Sequence, residues 1–131
     1  MVSPNLISNG AIGTSVFVTV DATSNNACIQ SASGAFPIGV SQEGSYLAPT
    51  PGASGLATTA SGQLIQIYGL GDVCLLNATS AGWTAGDHLK PAADGSGFGI
   101  TASTGNYFGA IALETLSGTG LGRVQVVLGT Y

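Results

Sequence analysis

Scarcity of charge constrains this chain more than any other feature. Its 131 residues include two basic and six acidic side chains. Charged residues are thus 6% of the total, against roughly 25% in an ordinary soluble domain. Alanine, serine, threonine and 21 glycines stand in their place. Apolar residues still reach 44%, which separates the chain from disordered sequences, since those are poor in apolar groups and rich in charge. A folded domain of this composition has a surface of small neutral groups. Such a surface is easily desolvated, because burying a charge costs far more than burying a methyl or a paired hydroxyl. It suits a protein that lies packed against others.

The same count excludes partners. Lys90 and Arg123 are the only basic residues, and the formal net charge is −4. Two cations cannot build a basic patch, so neither nucleic acid nor an anionic membrane surface is expected to bind. The length fits one domain, or one domain plus an arm, with enough chain for a core without disulfide staples. No apolar run approaches the ~20 residues of a membrane span. The start, MVSPNLISNG, has neither a basic nor an apolar signal region, so folding in a cytosol is expected. Cys28 and Cys74 are far apart and have no metal-like spacing. Two buried thiols acting as small hydrophobes are favoured over a disulfide.

Helical periodicity is nearly absent, and glycine, serine and threonine interrupt every candidate stripe. Strand signals recur instead. Ser15 to Val20 alternates valines against Phe17 and Thr19. Further strands are expected over Ala27 to Gln30, Pro37 to Ser41, Gln63 to Tyr68, Asp72 to Asn77 and Asp87 to Pro91. Phe98 to Thr101, Tyr107 to Leu113 and Arg123 to Leu128 complete the set. The run Asp72 to Asn77 (DVCLLN) is almost continuously apolar and reads as a strand buried on both faces. Turn formers separate these segments, Asp94-Gly95 among them. The pattern predicts an all-β fold, a compact β-barrel or β-sandwich of short antiparallel strands. Residues 1–13, with Pro4 and two glycines, form an extended N-terminal arm, and 14–131 form one β domain. Within it, 46–61 (YLAPTPGASGLATTAS) reads as a long surface loop of the kind that binds or moves.

A weak internal repeat is visible. Ser33 to Glu43 (SGAFPIGVSQE) aligns without gaps on Thr104 to Glu114 (TGNYFGAIALE), matching Gly34 to Gly105, Phe36 to Tyr107 and Val40 to Ile111. Two readings are open: two copies in equivalent places of a pseudo-symmetric barrel, or chance likeness of short Gly/Ala-rich strands.

A search for catalytic chemistry finds little. The single histidine, His88, follows Asp87 directly, and neighbours in a strand point to opposite faces, so Asp87 is badly placed to orient the imidazole. No serine lies in G-x-S-x-G. Asp21, Asp72 and Asp94 border turns, where aspartate caps its own backbone. Glu43 and Glu114 are the one carboxylate pair worth checking for glycosidase chemistry. No metal-ligand spacing or phosphate loop occurs. No catalytic residue, cofactor or metal is therefore assigned. Trp83, between two glycines, is open to two roles, an interface anchor or a plug at one end of a barrel.

The run from Ala85 to Leu128 resembles the phage capsid decoration, or cement, proteins. The shared features are AGDHLKP (Ala85 to Pro91), ADG (Ala93 to Gly95), GAIALE (Gly109 to Glu114), the spacer Ser117 to Gly122 and the closing VQVV (Val124 to Val127). Pro37 to Val40 (PIGV) also looks like the family. The resemblance implies a non-enzymatic structural protein made in the host cytoplasm. It would sit on the outer surface of the virion as a homotrimer and stabilise contacts between major capsid proteins. Candidate capsid or subunit contacts are Pro4, Leu6 and Ile7 of the arm, and Tyr46, Leu47, Pro49 and Pro51 of the loop. Trp83 and Tyr131 join them. Deletion of residues 2–13 is expected to abolish shell binding and leave the fold intact. The competing expectation is a carbohydrate- or host-binding β module, such as a head fibre or an adhesin tip.

Overall fold

The computed structural model describes residues 6–10, 12–23, 26–32, 34–41, 64–65 and 67–131. Among them regular structure is strand throughout, as expected of an all-β chain: β1 (Leu6–Ser8), β2 (Phe17–Val20), β3 (Ala27–Gln30), β4 (Gly39–Ser41), β5 (Leu64–Ile65), β6 (Ile67–Tyr68), β7 (Val73–Ala78), β8 (His88–Pro91), β9 (Gly99–Thr101), β10 (Tyr107–Ala112) and β11 (Gly120–Thr130). The strands that alternate or carry β-branched residues form where periodicity places them. Asp21, Asp72 and Asp94 cap the turns beside them, accepting from the backbone N–H groups of Thr23, Gly69 and Ser96, each at 2.9 Å.

One expectation is corrected. β7 is not buried on both faces: Cys74, Leu76 and Ala78 point into the core, while Val73 and Leu75 are 51% and 43% exposed. The run is apolar because an apolar outer face is present, not because a second layer covers it.

The strands form two sheets. The first has the order β5-β1-β3-β2-β4-β6. Its two ends, β5 and β6, are separated by one residue of chain, so the sheet curls round on itself. The second is a closed barrel, β10-β11-β7-β9-β8. The two are copies of one plan. β1 pairs with β3 in parallel, and so does β7 with β9. The antiparallel pairs of β2 with β3 and β4 recur as β8 with β9 and β10.

Register agrees residue by residue. Val18↔Gln30, Thr19↔Ile29 and Val20↔Cys28 become Leu89↔Thr101, Lys90↔Ile100 and Pro91↔Gly99. Phe17↔Val40 becomes His88↔Ile111. Val40↔Tyr68 becomes Ile111↔Gln125. Leu6↔Ile65 becomes Leu76↔Gly122. The left-handed backbone positions coincide as well, with Ser15, Asn26 and Gly34 standing where Gly86, Gly97 and Gly105 stand. Of the two readings of the internal repeat, the structure supports copies in equivalent places, but in two separate sheets and not in one pseudo-symmetric barrel. The first repeat runs through β1–β6 and the second through β7–β11.

Each repeat has its own core. Ile12, Val16, Val18, Cys28 and Ile67 fill the first. Cys74, Leu76, Trp83, Leu89, Val124 and Val126 are among those that fill the second. The cysteines are free thiols in separate cores. Burial pushes the Cys28 thiol up to about 11, with Asp21 adding to the shift. Burial pushes Cys74 up to about 12, with Asp72 adding.

Within the stretch expected to be an arm, the described residues are paired. β1 lies between β3 and β5, and Ile12 is fully buried. Removing residues 2–13 would therefore take out a strand and a core side chain. That deletion is expected to cost the fold as well as any contact with a shell.

Candidate interaction surface

The repeats join through an asymmetric junction. On the first repeat, Tyr68, Val40 and Phe17 form one cross-strand row on the outer face of β6, β4 and β2. Phe17 and Val40 are fully buried and belong to the core cluster of the second repeat, with Tyr68 packed against it. Such burial contributes roughly 1.5–3 kcal/mol for each large side chain. The second repeat makes room for this row. A Cβ at Gly109 would lie 2.7 Å from Phe17 Cε1 and 2.5 Å from Pro37 Cγ, so only glycine fits there.

Backbone bonds seal the joint. The Asn77 N–H donates to the Ser15 carbonyl at 2.9 Å, and the Phe17 N–H donates to the Gly97 carbonyl at 2.8 Å. Asn77 Nδ2 donates to the Thr14 carbonyl at 3.0 Å and Gln30 Nε2 to the Gly95 carbonyl at 2.8 Å. The segment Ser15 to Phe17 thus enters between β7 and the turn before β9. The Phe36 and Tyr107 rings, equivalent in the two repeats, also meet, with centroids 4.8 Å apart.

The corresponding row of the second repeat is His88, Ile111 and Gln125. All three are half-buried. Tyr131, 49% exposed, stacks on His88 with centroids 4.2 Å apart, and Phe108 meets the imidazole edge-on at 4.6 Å. Asp87 turns away from that ring. Its Oδ2 accepts from the Thr84 N–H at 2.9 Å and from Thr101 Oγ1 at 3.1 Å. The partner of Glu114 in the suspected carboxylate pair, Glu43, lies outside the described residues. Among the described residues no group of three or more His, Cys, Asp or Glu is placed to hold a metal ion. No helix among them is long and apolar enough to cross a membrane.

The expected contact residues do not converge on one place. Ile7, 41% exposed, stands on β1 opposite Ala27 and one alternation from Ile29, which is also exposed. Tyr131 lies on the second repeat. Of the two roles open to Trp83, the structure shows the plug: it is buried in the second core, and its Nε1 donates to the Glu114 carbonyl at 2.9 Å. Leu6 is placed only as a backbone position in β1, and Pro4, Tyr46, Leu47, Pro49 and Pro51 lie outside the described residues.

Sequence reasoning missed one apolar surface. Val73 and Leu75 on β7 share the outer face with Leu121 on β11, and Arg123 stands opposite Leu75. The signal lies in the nearly continuous apolar run of β7, which fits an apolar outer face as well as it fits an interior strand.

No protein-family model and no curated protein sequence matches this chain. Its fold is similar to a solved structure, the N base of the head fibre protein gp8.5 of bacteriophage phi29. The TM-score is 0.63, the identity is 14%, and the match covers 99% of this chain and 97% of that one. The likeness is one of fold, spanning both repeats.

Proposed function

We propose that this chain is a non-enzymatic structural protein of a phage head, carried on the outer surface of the shell and bound to the major capsid protein. The single observation behind this reading is the end-to-end fold similarity to a head fibre base. The low charge adds independent support, because a neutral surface loses little on desolvation. The fibre-base role, a platform attached to the head, is favoured over the cement role suggested by the sequence motifs, since the similar structure belongs to a fibre. A platform of this kind can also tighten the lattice on which it stands. A homotrimer suits either role, because three weak contacts engaged at once hold by avidity. The arm, with Ile7, and the loop 46–61 are the proposed contacts with shell or subunits.

Quantitative mass spectrometry of purified particles tests the reading. A copy number equal to, or a simple fraction of, that of the major capsid protein is expected. A handful of copies would move the chain to a tail or fibre tip, and absence from particles would end the proposal.

A further inference from the structure

A duplicated chain joined head to tail leaves two faces unused. Each repeat carries an inserting face, the cross-strand row on its second, fourth and last strands. Each also carries a receiving face, around the parallel pair and the turn that follows. The inserting face of the first repeat (Tyr68, Val40, Phe17) occupies the receiving face of the second (Asn77, Gly97, Gly109). Left over are the inserting face of the second repeat and the receiving face of the first.

We propose that these two leftover faces bind each other between copies of this chain. The row His88–Ile111–Gln125 of one copy would lie against Ile7, Asn26 and Ile29 of the next, at the place equivalent to the one that the first row occupies within the chain. The occupant is a second copy because the receiving face is built on the same strand register as the one that already accepts this kind of row.

The chemistry of the faces agrees. Ile111 keeps the aliphatic character of Val40, and the exposed Tyr107, Leu113 and Tyr131 surround the row with apolar area. Across from it, Ile7 and Ile29 are exposed. Phe17 meets Gly109 within the chain, while Ile38, the residue equivalent to Gly109, packs against its own core, and the smaller His88 asks for no such recess. One difference is expected. The Ile7 N–H already donates to the Asn26 carbonyl at 2.8 Å, so that seam is closed. The contact between copies would then be made by side chains, with no segment inserted, and should be weaker than the joint within the chain. A contact between unlike faces either closes into a ring or runs on as a filament. The homotrimer of the proposed function corresponds to a closed ring. The inference deepens that reading by naming its faces, yet it is tested in solution with no shell present, so the two can fail separately.

The experiment measures the mass of the full chain by light scattering during size-exclusion chromatography. It compares wild type with Ile111→Glu and Ile7→Glu, each checked for retained β-sheet circular dichroism. Wild type should elute as a discrete multiple of the chain mass, and each variant as a monomer. Mixing the two variants should yield a species of two chains, because each supplies one intact, unlike face. If either variant fails to fold, Gln125→Arg replaces Ile111→Glu and Ile29→Glu replaces Ile7→Glu. A wild-type monomer at the highest soluble concentration would overturn the proposal and leave the row to the capsid protein. A variant that keeps the wild-type mass, or a mixture that stays monomeric, would overturn it equally.

Discussion

The two repeats share one strand register and differ in what lies against it. In the first, the row Phe17–Val40–Tyr68 is sealed against a neighbour. In the second, the row His88–Ile111–Gln125 is half-buried beneath Tyr131. The cores differ in the same direction. The first repeat buries Ser8 and Ser41 where the second has Ala78 and Ala112. Ser41 stays satisfied, with its Oγ donating to the Gly13 carbonyl at 2.7 Å and accepting from the Val16 N–H at 3.1 Å. Where the first repeat has Ile12, the second has Trp83. Backbone register has thus been kept while side chains were fitted to different neighbours, and equivalent positions should respond unequally to the same substitution.

The largest inequality is expected at Phe17 and His88. Phe17→Ala should cost about 3–5 kcal/mol, as for other buried aromatics, and should loosen the coupling between repeats. Denaturant unfolding would then show Trp83 fluorescence, which reports the second repeat, out of step with circular dichroism. His88→Ala should cost under about 1 kcal/mol in the monomer. Equal losses at the two positions would break the comparison.

Next comes Gly109, where a methyl would press on Phe17 and Pro37. Gly109→Ala should cost about 1–3 kcal/mol, as overpacking does, measurable as a lowered urea midpoint. Ser41→Ala should cost about 1–3 kcal/mol, because it leaves the buried Val16 N–H without its acceptor. The equivalent residue is already alanine in the second repeat, where Ala112 donates its N–H to the Asp87 carbonyl at 2.9 Å.

The smallest effects concern pH. Hydrogen bonds from Asn9 and then Thr23 hold the Asp21 carboxyl below the usual carboxylate value of 3.8. Bonds from Ser96 do the same for Asp94. A carboxylate depressed in the folded state stabilises it above the unfolded value, and that contribution fades as pH falls through the folded one. Thermal midpoints should therefore be level near neutrality and drop below about pH 4. Asp21→Ala should flatten that drop more than Asp94→Ala, because Asn9 ties Asp21 to the chain beside β1. The raised thiols act at the other end. Their stabilisation is complete below pH 9.0 and lost as pH rises toward about 11 and about 12. At neutral pH neither cysteine should react with a thiol reagent until the chain unfolds.

Much of the fold was legible because β-branched and aromatic residues mark β2 and β10, and Asp-Gly and Ser-Gly pairs mark the turns. β1 was not, since three residues (LIS) are too few to show a period, and their pairing partners lie far along the chain. The start of β11 was hidden because Gly120 to Gly122 reads as a turn. There Trp83 crowds the strand, and a Cβ at Gly122 would lie 2.6 Å from its ring. Only 33–43 and 104–114 betrayed the duplication. Elsewhere the counterparts have diverged, with Ile12 matching Trp83 and Val16 matching Asp87, so register alone preserves it. The junction was not legible at all. Nothing in FVTV distinguishes a phenylalanine facing water from one buried in a second barrel.

A reconstruction of particles assembled with and without this chain tests the proposed function most directly. The account predicts added density on the outer face of the shell that fits both repeats as one body, with the His88–Ile111–Gln125 row turned toward the first repeat of a neighbouring copy. Identical outer surfaces in the two reconstructions would contradict it.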